Sequence, residues 1–130
     1  MGARLVYAKV IDRELFYVKE NGRIHPHLES HVVVNDEPGT AGAFLVLRGW
    51  SDDHGTFTEQ WSLKSPGGQT IYTSLPREIH LPSKDHVERL EDELADIELD
   101  AAADDYVVVF TLDETETARV RFPVRTNGSR

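Results

Sequence analysis

Cysteine is absent from this 130-residue chain, and that absence removes a disulfide framework, a thiolate metal site and a cysteine nucleophile together. Long apolar runs are also missing. No stretch approaches the twenty or so residues of a membrane-spanning helix, so no membrane partner is expected. The first apolar run, Leu5–Ile11, is interrupted by Lys9 and closed by Asp12, which leaves no secretion-signal core. The expected compartment is the cytoplasm. Positive charge is scarce: 14 Lys and Arg face 23 Asp and Glu, a net charge of −9. Binding a phosphate backbone requires a basic face that releases counterions, so no nucleic-acid partner is expected. No Gly-x-Ser-x-Gly elbow occurs. The glycine-rich Ser65-Pro66-Gly67-Gly68 lacks the lysine of a phosphate loop. These gaps leave no assignable catalytic residue and no cofactor.

What is present is lopsided. Between Asp85 and Asp105 stand ten carboxylates and one base, Arg89, so this segment carries −9 and the remaining 109 residues are neutral. Such a ridge would gather a basic protein partner or a second copy of the chain. The candidate interaction residues are Glu88, Glu91, Asp92, Glu93 and Asp96. Val87, Leu90, Leu94 and Ile97 recur at three and four residues, and Asp85 with Glu88 has capping-box spacing. The pattern predicts an acidic helix from about Asp85 to Ala95.

Elsewhere the pattern is of strands and turns. Leu5–Ile11, Leu15–Lys19, His31–Val34, Ala43–Trp50, Thr56–Lys64 and Gln69–Ser74 read as strands, separated by turn signals such as Asn21-Gly22. In Thr56–Lys64, Phe57, Trp61 and Leu63 share one face with Glu59. Tyr106–Leu112 is apolar on both faces and should be central in a sheet. In Thr117–Val124, apolar side chains point one way, while Arg119, Arg121 and Arg125 point the other. The expected domain is residues 1–126, with 127–130 as a flexible tail.

The stretch from Ile97 to Phe110 contains an acidic corner, Asp104-Asp105, followed by Tyr106 at the head of a strand. It resembles the E–F corner of an immunoglobulin-like sandwich, in which such a tyrosine bonds back to upstream backbone. Val108 stands where the disulfide-bonded members place a cysteine. The resemblance implies a two-sheet sandwich, and with the strand pattern and the acidic helix read above, the expected fold is all-β, an antiparallel immunoglobulin-like sandwich of seven to nine strands with that helix inserted between late strands. Tyr106 is its structural pin. It implies no activity, because this architecture hosts many functions.

One further cluster carries chemistry. His25, His27, Glu29 and His31 recur at a period of two, which on an extended strand places them on one face about 6.5–7 Å apart. Three imidazoles and a carboxylate suit zinc, iron or manganese. Side chains of one strand diverge, however, and Pro26 removes a ladder donor, so the plainer reading is an edge strand or loop with solvated histidines. The sequence therefore points first to a non-enzymatic interaction module. The alternative is a small metal-binding protein or metal-dependent enzyme.

Overall fold

The computed structural model describes residues 2–25, 27–34, 40–101 and 104–126. Period-two alternation organises most of it. In β4 (Gly55–Lys64), Glu59, Trp61 and Leu63 are buried, and their sequence neighbours are more exposed. Along one edge β4 pairs with β8 (Tyr106–Leu112), from Glu59 opposite Leu112 to Lys64 opposite Val107. Its other edge is shared end to end by β6 (Arg77–Leu81) and β5 (Thr70–Thr73). β8 continues into β9 (Thr115–Phe122) through Asp113-Glu114, both at positive φ, as a two-residue hairpin turn of the I′ kind requires.

The second sheet is built around β3 (Phe44–Ser51), which is flanked antiparallel by β1 (Arg4–Asp12) and β7 (Glu88–Leu94). All eight residues of β3 are buried, so it is covered on both faces. Phe44, Val46 and Trp50 face inward and join Trp61, Leu63, Val108 and Phe110 in one core between the sheets. A short parallel pair, β2 (Val32–Val34) with β10 (Val124–Thr126), closes one side. Pro123, which has no N–H to donate, separates β9 from β10.

The fold is thus all-β, two antiparallel sheets packed face to face. In sequence order β1-β3-β7 faces β4-β8-β9, the arrangement of strands A, B and E against C, F and G in immunoglobulin-like sandwiches. Tyr106 is buried and opens β8. Its hydroxyl accepts the backbone N–H of Asp100 at 2.8 Å, and its ring stacks on Phe122. The tyrosine-corner expectation matches this geometry. Among the described residues the strands number ten rather than seven to nine.

Two expectations are corrected. The acidic helix over Asp85–Ala95 is absent: Glu88–Leu94 forms β7. Its inward positions are Glu88, Leu90, Asp92 and Leu94, and its outward ones are Arg89, Glu91 and Glu93. A carboxylate at the inward position between two leucines hid the period of two. The tertiary demand of β3 for a second neighbour overrode local preference. Leu15–Lys19 is a single π-helical turn rather than a strand, closed by the Glu20 N–H on the Leu15 carbonyl and started by Asp12, whose Oδ2 accepts the Leu15 N–H at 3.0 Å. This turn and the segment after it lie across the outer face of β3 as a cover, where Phe16 and Leu28 bury Ile11, Leu45 and Leu47 in a second apolar cluster. Of the two readings left open for the histidine segment, edge strand or loop, its described residues take the loop, and among them only His31 forms a bridge, parallel to Ile11. The tail at 127–130 lies outside the described residues.

Candidate functional site

A buried polar network crosses the sandwich. Arg48 on β3 and Glu59 on β4 are 0% and 1% exposed, and they form a two-pronged ion pair at 2.7 and 2.5 Å. The Trp50 indole N–H donates to the same carboxylate at 2.6 Å, and a third guanidinium hydrogen reaches the Val46 carbonyl. Arg48 also meets Asp92 of β7 at 3.1 Å. Asp92 in turn accepts the Trp61 indole N–H at 2.7 Å and pairs with Arg77 at 2.9 Å. Burial alone would raise the Asp92 carboxyl, but the Trp61 hydrogen bond and the charges of Arg48 and Arg77 outweigh it and hold the group below its ordinary value. Among the described residues no buried side-chain polar atom lacks a partner. A fully satisfied network of this kind fixes how the two sheets meet.

The ridge residues therefore have unequal roles. Asp92 belongs to the interior. Glu91 and Glu93 point outward and hold the cover in place: Glu91 accepts the Tyr17 hydroxyl at 2.5 Å, and Glu93 accepts Arg13 Nε at 3.1 Å. The hydrogen bond to Glu91 raises the Tyr17 hydroxyl pKa above its ordinary value. Glu88 lies 2.9 Å from the His86 imidazole, and Asp96 is exposed at φ 61° just after the strand. The segment is still strongly acidic, and it forms one margin of its sheet. β7 pairs with β3 and, among the described residues, with no strand on its other side. An open groove of about 400 Å³ runs there, lined by Tyr72, Ser74, Leu75, Pro76 and Arg77 on one wall and by Asp92, Glu93 and Leu94 on the other, with Arg77 paired to Asp92 across it. Leu75 is 85% exposed.

The histidine cluster is dispersed. His25 lies 2.8 Å from Glu20. His31 lines a groove with Asp12 and Lys19, while His27 and Glu29 line another with Lys9 and Arg121. Partial burial, then the charge of Arg125, lowers the His31 pKa against the pull of Glu29 and Asp12. Among the described residues no three His, Asp or Glu side chains are placed to share one metal ion.

Sequence reasoning missed the network. Its signal was legible: Arg48 interrupts an apolar run and Glu59 sits on the face of Phe57, Trp61 and Leu63, and each charge is tolerable there only with the other. It missed the groove beside β7 because the acidic segment looked helical.

No protein-family model matches the chain, and no curated protein matches it. Among solved structures, the chain superposes along 95% of its length on the alkylpurine DNA glycosylase AlkC of Pseudomonas fluorescens, bound to DNA containing an abasic-site analogue, with a TM-score of 0.52 and 10% identity. The chain spans 30% of that protein's length, so the likeness is one of fold over part of a larger molecule. It also aligns with the Ig1 domain of mouse SynCAM 2 at 15% identity, covering 74% of this chain and 94% of that one, with a TM-score of 0.36.

Proposed function

We propose that the protein is a non-catalytic interaction module that takes a basic, extended polypeptide segment along the free edge of β7. One observation carries the reading: the most acidic strand of the chain is also, among the described residues, an unpaired sheet margin, with a groove of mixed polar and apolar lining running beside it. Strand addition supplies main-chain hydrogen bonds, and side-chain pockets supply selectivity. Leu75 and Tyr72 offer apolar contacts, and Glu93 and Asp96 offer charge for lysine or arginine on the incoming strand. The glycosylase of similar fold was solved on DNA, but a net charge of −9 makes this chain poorly suited to a phosphate backbone.

The test is titration of a peptide alternating Lys with Val or Leu, followed by amide chemical shifts at 0.05 M and 0.3 M salt. The reading expects shifts concentrated in β7 and Thr73–Arg77, affinity falling as salt screens the charges, and about tenfold weaker binding in Leu75→Ser and Glu93→Lys. Absence of saturable binding, or shifts confined to another face, would overturn it. So would a stable dimer of the chain alone that Leu75→Ser dissociates, since a second copy would then be the occupant.

A further inference from the structure

On the opposite margin the charge reverses. The edge of β9 that pairs with no strand among the described residues approaches β1 and the loop before β2, and between them lies an open groove of about 560 Å³ lined by Lys9, His27, Glu29, Ser30, Arg119 and Arg121. Two cations, Lys9 and Arg121, and an imidazole meet there one lining carboxylate, Glu29, beside Arg119, whose charge is balanced by Glu116, in a chain whose acids outnumber its bases by nine. Arg119 is held by Glu116 through two hydrogen bonds at 2.5 and 3.1 Å, which orients its guanidinium on the strand. Neither Lys9 nor Arg121 has an ion-pair partner among the described residues, although carboxylates are abundant elsewhere. The Ser30 hydroxyl oxygen accepts the Val10 N–H at 3.0 Å, which fixes its position and leaves its own hydrogen available. Val120 and the buried Leu28 contribute apolar lining.

We infer that this groove binds a small phosphate-bearing ligand. Arginine presents planar paired donors that match two phosphate oxygens, and lysine adds a compact point charge from the facing strand. Arg119 and Arg121 lie two residues apart on one strand, about 6.5–7 Å along it. Arg119 spends its paired donors on Glu116, so the open donors are Arg121 and, from the facing strand, Lys9, and a ligand with more than one anionic group engages both better than a single monovalent anion does. The volume falls within the usual range for a small-molecule site, roughly 300–1,000 Å³. The site shares no residue with the β7 groove and stands whether or not that edge binds a peptide.

The probes are pyrophosphate and inorganic phosphate, with acetate as the anion control and a short single-stranded oligonucleotide as the polymer control, each titrated by calorimetry and amide shifts. The inference expects saturable pyrophosphate binding, tighter than phosphate and absent for acetate, with shifts at Lys9, Ser30 and Arg119–Arg121. Arg121→Ala and Lys9→Ala should each weaken it about tenfold, with unchanged melting temperature because neither side chain has an ion-pair partner among the described residues. Arg121→Lys should recover part of the loss. Equal binding of acetate, no saturation by pyrophosphate, or full affinity in the Lys9→Ala/Arg121→Ala protein would overturn the inference. Binding of the oligonucleotide alone would overturn it in favour of a nucleic-acid surface.

Discussion

Replacing Glu59 with leucine removes the acceptor of three hydrogen bonds, two from Arg48 at 2.7 and 2.5 Å and one from the Trp50 indole at 2.6 Å, inside a site closed to water. Leucine fills much of the same volume, so the loss is electrostatic. Removing one member of a buried pair typically costs about 3–5 kcal/mol, because the other charge stays buried and uncompensated. The orphaned indole N–H adds about 1–3 kcal/mol. Two effects work the other way: Arg48 keeps Asp92 at 3.1 Å, and a leucine side chain gains burial. We expect Glu59→Leu to lose about 4–6 kcal/mol by urea denaturation, a large share of the roughly 5–15 kcal/mol that holds a domain together. Arg48→Met in the same protein removes the stranded charge, and Asp92 retains Arg77 and Trp61. The double variant should therefore be more stable than Glu59→Leu alone, with a coupling of about 3 kcal/mol. Losses below about 1 kcal/mol for the single variant, or strictly additive losses in the double, would refute the view that this pair registers the two sheets.

Tyr106→Phe removes the acceptor of the Asp100 N–H and should cost about 1 kcal/mol in thermal or urea unfolding; no change would mean that the corner bond is not stabilising. In Gly49→Ala the new methyl would meet the Tyr7 ring at 2.5 Å and Val87 at 3.0 Å. It should destabilise by about 1–3 kcal/mol, and trimming Tyr7 to leucine should relieve part of that loss. Because the Asp92 pKa is lowered in the folded state, its stabilisation is present above the ordinary carboxylate range and is lost as pH falls through the lowered value. Denaturation midpoints between pH 7 and pH 3 should accordingly fall less steeply in Asp92→Asn than in the parent, and parallel curves would count against the assignment.

The sandwich was legible wherever side chains alternate cleanly. Thr56–Lys64 and Tyr106–Leu112 announce themselves because one or both of their faces are apolar, and the Asp-rich corner before Tyr106 locates the crossing between sheets. β7 was illegible for the opposite reason. Its inward positions mix leucine with Asp92, which is neutralised by Arg48 some forty residues earlier and by Arg77, so no local window contains the explanation. The same residue shows why the ridge was only half readable. Charge count identifies an acidic segment, but which carboxylates are committed to Arg13, Tyr17, Arg48 and Arg77 depends on pairings across the whole chain. The cover over Leu45 and Leu47 was read as a strand because Leu15–Lys19 is rich in β-prone residues, although its hydrogen bonds close locally.

Because β3 is buried on both faces, it is a wall shared by two apolar clusters of very different size. The larger lies between the sheets. The smaller depends on a few side chains of the cover, chiefly Phe16 and Leu28, and on the two outward carboxylates of β7 that tether it. Segments held by few apolar contacts open at lower free energy than the body they rest on. Opening here would bare Leu45 and Leu47 at the centre of an intact sheet, a flat aliphatic surface on a molecule that still looks folded. Loss of one short flap is therefore expected to uncover an aggregation-prone surface before the body unfolds, and a nick after the exposed Arg23 is expected to weaken that flap first.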